Sequence, residues 1–418
     1  MFKHPVFNKI VDDFKRIESK DRATLLNFGF ALFFALFSYP LIRSTTTAMF
    51  LDSYGAQNSP LVWFYSVIVL AIVVFIYNKF QTHSNIQQLY LFTSLFSVVF
   101  FLLGIAFFLN GGKLWAYYLF IWKEVYIVLL VHMIFGHVNA SIPLDLAKTL
   151  FGPLGALGSL GGVLGGIATS YLSFYFKTET ILGVGTLLII LSALCFQRTK
   201  LSLFITASET DENSSTKKLA PLVSIKGVAK YVFLLGGVIA LSQFIINLAN
   251  FKFDVLFSSL VPDKELKTRY LGYLYTVVNV MGLFIQIILV PICLNKFRRR
   301  TVHLFIPSFY LILALGGLIL GGGQLILLGL TFALLKGIDY SLFSAAKEIM
   351  YIPLNFKQKY GAKYVNDMVI YRFAKGLISF FLIYFQSLVV IDSLLIVFLI
   401  LWIMLVFPLF RESQRLMM

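Results

Sequence analysis

Apolar runs long enough to cross a bilayer recur twelve times along the 418 residues. They lie near 25–43, 60–78, 88–109, 114–136, 150–174, 181–197, 229–250, 270–294, 303–322, 324–344, 366–388 and 391–410. About 20 apolar residues in a helix match a hydrocarbon core roughly 30 Å thick. Because lipid offers the backbone no hydrogen-bond partner, each run must satisfy its own amides, which a helix does. The pattern therefore predicts an all-α polytopic membrane protein of about twelve transmembrane helices. A hydrophobic content of 59%, a charged content of 13% and a mean hydropathy of +0.86 exclude a soluble domain, and twelve runs exclude a single anchor.

The net charge of +16 does not point to nucleic acid, because of where the cations sit. With a cytoplasmic N-terminus, about 24 Lys and Arg fall on the cytoplasmic side and 6 outside. The remaining 5 lie within the spans: Arg43, Lys123, Lys336, Arg372 and Lys375. The positive-inside rule then places both termini in the cytoplasm, as an even number of spans requires. A multi-pass protein of the inner (plasma) membrane, monomeric in the bilayer, is expected.

Residues 1–24 carry charges and an amphipathic set (Val6, Phe7, Ile10, Val11, Phe14, Ile17) and read as a cytoplasmic tail on the membrane surface, with no cleavable signal ahead of the first span. Residues 25–198 form a first six-helix bundle and 229–410 a second. The polar stretch 199–228, with Glu209-Thr210-Asp211-Glu212-Asn213-Ser214-Ser215, reads as a cytoplasmic linker, and 411–418 is a short cytoplasmic tail with no appended domain. Cys195 and Cys293 fall in separate spans, which argues against a disulfide or a metal site.

The halves echo each other. Asn78-Lys79-Phe80 is matched by Asn295-Lys296-Phe297, and Ile142-Pro143-Leu144 by Ile352-Pro353-Leu354, at offsets of 217 and 210 residues. Two matches about half a chain apart suggest parallel six-helix repeats. That arrangement resembles the major facilitator transporters, whose halves rock about a central site. In the fifth span, Gly158, Gly162 and Gly166 recur every four residues, a spacing that lets a neighbouring helix approach at backbone distance. No Gly-Lys-Ser/Thr follows to make a phosphate loop.

Charges inside the spans are the most selective feature, since each costs at least about 2.5 kcal/mol at the bilayer centre. Lys123 and Glu124 are adjacent, so their helical directions differ by about 100° and a simple mutual pair is not expected. Glu124 is the candidate for gating or coupling, against the alternative of a structural bridge to Arg43, Lys336 or Arg372. His132 and His137 do not share a helical face and offer no third ligand at metal spacing. Arg43 opens a hydroxyl cluster, Ser44-Thr45-Thr46-Thr47, suited to capping a helix end. Lys336 and Asp339 stand one turn apart and are expected to pair.

The segment 340–375 concentrates cations between two spans: Lys347, Lys357, Lys359, Lys363, Arg372 and Lys375. The positive-inside rule explains Lys357 and Lys359 as loop lysines. It does not explain Arg372 and Lys375, three apart on one helical face and within a span; such a face suits an anion.

The run Tyr340-Ser341-Leu342-Phe343, Lys347-Glu348, Tyr351-Ile352-Pro353-Leu354, then Gly361, Lys363, Asp367, Arg372 and Lys375 resembles the signature of the ATP:ADP antiporter family of obligate intracellular bacteria and plastids. Glu124, Phe135, Asn139, Ala147-Lys148 and Phe151 resemble that family's first-half motifs. The resemblance implies a twelve-helix carrier of major facilitator type that binds and exchanges nucleotides without hydrolysing them and needs no cofactor. By that likeness Arg43, Lys347, Lys363, Arg372 and Lys375 are the candidate phosphate ligands. Glu124 is the gating or coupling carboxylate, and Asn139 and Asn250 are polar contacts of the same machinery.

The chain also departs from the family. Thr46 stands where the family has a lysine, Thr47 where it has an acid, Asn250 where it has a glutamate and Asp254 where it has a lysine. A nucleotide or a related phosphorylated anion is the expected partner. A permease or exporter for another solute is the alternative. A membrane enzyme or scramblase finds no Walker motif, no metal-spaced His/Asp cluster and no Ser/His/Asp set to carry it, so no catalytic or metal-binding residue is assigned.

Overall fold

The chain is helical throughout the residues described, 19–81, 85–141, 144–199, 221–320 and 323–416, in a computed structural model. Twelve helical columns follow one another: α1 (Ser19–Tyr54), α2 (Ser59–Gln81), α3 (Ile86–Leu109), α4 (Leu114–Ser141), α5 (Leu144–Leu172) and α6 (Thr178–Gln197). Then come α7 (Ala229–Leu260), α8 (Lys264–Lys296), α9 (299–320), α10 (Leu325–Ile349), α11 (356–384) and α12 (Leu388–Arg415). Ten are long and apolar enough to cross a membrane by length and composition alone; α5 and α11 complete the set. The charged tail and most of the linker, 1–18 and 200–220, lie outside the described residues.

Several helices outrun the apolar windows that announce them. α1 continues eleven residues past Arg43 because the hydroxyls beyond it turn inward on their own helix. Thr45 donates to the Leu41 carbonyl at 2.7 Å and Thr46 to that of Ile42 at 2.6 Å. The hydroxyl cluster is therefore mid-helix and caps nothing. α11 starts at 356, ten residues before its apolar stretch, because Asn355 and Gln358 close a capping box: Asn355 Oδ1 accepts from the Gln358 amide at 2.9 Å, and Gln358 Oε1 from the Asn355 amide at 3.2 Å. Lys357 and Lys359, expected in a loop, are helical, and Lys363 ends the same segment. Where the chain reverses between α1 and α2, Gly55 takes φ 74°, and ahead of α7 Gly227 takes φ 97°, both in the region that favours glycine.

The described residues fall into two compact units. Among them the first draws on residues 19–53, 68–199 and 263–276, the second on 54–67, 221–262 and 277–416. Each unit takes in a short segment from the other half of the sequence, the start of α2 for the second and the start of α8 for the first.

In the first unit, α1, α3, α4 and α6 meet around a polar thread through an aromatic core. Tyr90 shares a 2.6 Å hydrogen bond with Ser192, whose hydroxyl contacts the Ala31 carbonyl at 2.7 Å, and the Tyr90 ring stacks on Phe196 at 4.1 Å. His137 packs edge-on against Phe28 at 5.1 Å, an ordinary core histidine. Since lipid is as apolar as a leucine core, contacts of this kind and close packing supply helix association, at roughly 0.6 kcal/mol per hydrogen bond.

Glycines make the closest packing. A methyl at Gly161 of α5 would meet the Phe33 carbonyl and lie 3.1 Å from the Phe37 nitrogen; one at Gly165 would meet the Phe37 carbonyl and lie 3.1 Å from Pro40 Cδ. The face that touches the α1 backbone thus runs through Gly161 and Gly165, while Gly158 faces the Leu32 and Leu36 side chains. Gly166 packs instead on the first turns of α8, at the Gly272 carbonyl and Thr276.

The second unit is centred on Trp402 of α12, fully buried and flanked by Tyr310 of α9 and Phe343 of α10 at 5.9 and 5.1 Å. The Tyr310 hydroxyl donates to the Leu335 carbonyl at 3.0 Å and that of Tyr231 to Met350 at 2.6 Å. Four π-helical turns interrupt its columns, at Ile285–Leu289, Ala314–Leu320, Asp339–Phe343 and Tyr364–Ile370.

Gly165→Ala should lower the thermal midpoint of the detergent-solubilised protein, at a cost of about 1–3 kcal/mol for an overpacked contact. Gly183→Ala, where the methyl enters open space, should leave it unchanged or raise it slightly.

Candidate functional site

In the second unit, α7, α10 and α11 enclose a cavity of about 180 Å³ lined by Ile239, Gln243, Asp339, Tyr340, Phe343, Ser344, Lys347 and Tyr371. Its polar groups come from helix positions that a regular helix would spread apart. The π-turn Asp339–Phe343 widens α10 just where Asp339 and Tyr340 enter the cavity. A second, Tyr364–Ile370, precedes Tyr371 on α11. Such turns are frequent at functional sites because the extra residue re-aims side chains. Here Asp339 is buried, and Lys336 lies 5.7 Å from the Phe332 and Tyr340 rings rather than closing the expected pair with it.

Lys347 is the cation of this cavity. Its Nζ stands 2.7 Å from Asp367 Oδ1, with 17% and 25% of the two side chains exposed. The Tyr351 hydroxyl approaches the same Oδ1 at 3.4 Å. Tyr351 is fully buried, and Lys363 lies over its ring at 5.5 Å while making a 2.5 Å ion pair with Glu348. Two crossed pairs, Lys347 to Asp367 and Lys363 to Glu348, therefore clip the end of α10 to the start of α11 on either side of one tyrosine. Next to them Asn366, fully buried, sets its amide in the notch over Gly236 of α7.

Of the expected phosphate ligands, Lys347 reaches the cavity and Lys363 belongs to the clip behind it. Arg372 and Lys375 are half-buried on the first turns of α11 beyond the π-turn, and neither is among the cavity's lining residues; Tyr371 is. Asn250 is half-buried on α7, two residues before a feature that sequence reasoning missed. Lys252 lies beyond the seventh apolar run, 229–250, where it counts among the six cations outside, yet it is helical, only 5% exposed, and hydrogen-bonded to Asp392 in the first turn of α12. The signal was available in Asp392, a lone acid at the start of the last apolar run.

The first unit holds the remaining candidates. Lys123, 2% exposed, does approach its neighbour Glu124, at 3.4 Å; the long side chain bends back across the 100° that separates the two positions. The same Nζ donates to Thr47 Oγ1 at 3.2 Å and lies 3.0 Å from the Phe120 ring centre. Arg43 stacks over Tyr275 at 4.1 Å with Tyr39 at 5.5 Å. The side chain of Asn139, like those of Lys148 and Phe151, lies outside the described residues. Unit 1 thus holds Arg43 on aromatic faces, and Lys123 on an aromatic face, a hydroxyl and the neighbouring carboxylate.

No family model and no curated protein matches this sequence. Solved structures match it in fold. A bacterial homologue of the human lysosomal transporter Spinster, inward-facing and unoccupied, aligns with a TM-score of 0.63 at 13% identity, covering 96% of this chain and 98% of that one. A bacterial homologue of the iron transporter ferroportin, inward-facing, gives 0.64 at 14% identity over 94% and 98%. The nucleoside transporter NupG gives 0.59 at 13% identity over 93% and 98%. At such identities the likeness is one of fold: the chain is an all-α polytopic protein with the architecture of the major facilitator transporters.

Because the Lys252–Asp392 pair is buried on one side only, Lys252→Met should destabilise the protein by about 2 kcal/mol, below the roughly 3–5 kcal/mol of a fully buried pair. The double variant Lys252→Met with Asp392→Leu should recover most of that loss in the same thermal assay.

Proposed function

We propose that the chain is a secondary transporter that exchanges a phosphorylated anion across the membrane by alternating access, with a nucleotide such as ATP or ADP as the prototype. Transporters share its fold over nearly its whole length. The observation that carries the substrate reading is the cavity of the second unit. Five of its eight lining residues come from the segment 340–375 that resembles the nucleotide exchangers, and it sets one cation, Lys347, beside a carboxylate, an amide, a hydroxyl and two tyrosines.

Each group has a use for such a solute. Lys347 offers ammonium donors to phosphate. Gln243 and Ser344 can pair with ribose hydroxyls or base edges, and Tyr340 and Tyr371 offer aromatic faces to a base. At about 180 Å³ the cavity is below the roughly 300–1,000 Å³ of sites that enclose a drug-sized ligand. It therefore suits one end of a nucleotide, or a whole one only after α10 and α11 shift. Arg372 and Lys375, on the helix of Tyr371, are further candidate phosphate ligands, as is Arg43 of the first unit by the family likeness, with Glu124, Asn139 and Asn250 the candidates for gating. Binding and release require no covalent step, so no cofactor enters this reading.

Asp339 supports a second reading. A buried carboxylate in the cavity favours a neutral, hydroxyl-rich solute or a coupled cation over a polyanion, and one protein of this fold is a nucleoside transporter.

Uptake of labelled ATP, ADP, adenosine and inorganic phosphate into proteoliposomes, with and without internal nucleotide, separates the two. Saturable nucleotide uptake that needs internal nucleotide and falls at least about tenfold in Lys347→Ala, the loss of one charged hydrogen bond, is the expected result. Nucleotide uptake that never saturates, under any internal loading, overturns it; adenosine uptake alone selects the second reading.

A further inference from the structure

We infer that Asp367 is an internal stand-in for the substrate anion: it holds Lys347 while the site is empty and is displaced when a phosphate arrives. The inference rests on the anion reading above and assigns a role to a residue outside the expected ligand set. An ammonium in the interior must keep a counter-ion. Lys347, the cavity cation, has its counter-ion at 2.7 Å on the neighbouring helix. A phosphate entering the cavity would approach the same ammonium in a space that the Asp339 carboxylate also lines. Three negative groups crowded about one cavity repel one another. Asp367 is the one with somewhere to go. Lys363 lies four residues before it in the same column, and Tyr351 bridges them, its hydroxyl 3.4 Å from Asp367 and its ring 5.5 Å under Lys363. The crossed pair Lys363 to Glu348 has its side chains 39% and 47% exposed, so it can open to admit a second carboxylate at little cost.

A competitor differs from a ligand or a positioning residue in the sign of its removal. Asp367→Asn keeps the side-chain shape while removing the charge that competes for Lys347, so it should tighten binding of ATP and ADP by about tenfold. Lys347→Gln should abolish binding, and the double variant should behave as Lys347→Gln, because Asp367 acts only through the lysine. Binding is read by titration of ATP, ADP and inorganic phosphate into the purified full-length protein in detergent, with the thermal midpoint of each ligand-free variant as the control for folding. Asp367→Ser replaces Asp367→Asn should the latter not fold. If the unaltered protein binds the nucleotides and Asp367→Asn binds them equally or more weakly, the inference is overturned while the anion reading stands. If the unaltered protein binds none of the three, the anion reading fails and the inference with it.

Discussion

Uncompensated charge in a poorly polarisable interior is the constraint on which the rest of this structure depends. A helix carrying a lysine inside the bundle is stable only where something answers the lysine. Lys123 is answered by Glu124, Thr47 and the Phe120 face, Lys252 by Asp392, and Lys347 by Asp367. Each answer from another helix fixes which helices are neighbours: α4 with α1, α7 with α12, α10 with α11. In water such pairs contribute little. Inside the bilayer, where apolar surface has no preference between lipid and helix, they carry much of the specificity of association.

The second unit adds a departure from regular helix wherever polar groups must converge. A straight α10 would direct Asp339 and Lys347 along lines set by 3.6 residues per turn. Its π-turn at Asp339–Phe343 shifts that register, and both side chains line one cavity. The tight face of α5 works the other way: glycine removes side chains so that backbones touch at Gly161 and Gly165. One device opens space for polar groups in the second unit and the other closes space between helices in the first.

The twelve columns were legible in the sequence because a bilayer imposes one length on every span. Their ends were not. α1 and α7 run well past their apolar windows through Thr45, Thr46 and Lys252, since hydrogen bonds to the helix backbone and a cross-helix partner hide polar atoms that hydropathy counts as exposed. Lys347 stood out as a candidate from its motif, and the structure places it on the cavity wall. Its partner Asp367 stood in the same motif, but sequence gives no distance, so the pairing was invisible. The Lys123–Glu124 contact was missed for a related reason: helical directions describe Cβ positions, and the lysine ammonium lies four bonds beyond.

Two chemistries answer the cations of this structure. Arg43 lies between tyrosine rings; Lys347 and Lys363 face carboxylates. An aromatic face stabilises a cation without competing for an incoming anion, because the ring carries no net charge. A carboxylate does compete, and must move aside. On the proposed reading, an anion entering the cavity of the second unit therefore meets a cation that must first be released. A carrier whose cation closes on its own acid can stay charge-balanced when empty. That is the property an exchanger needs if the empty site is to be stable without inviting any passing anion.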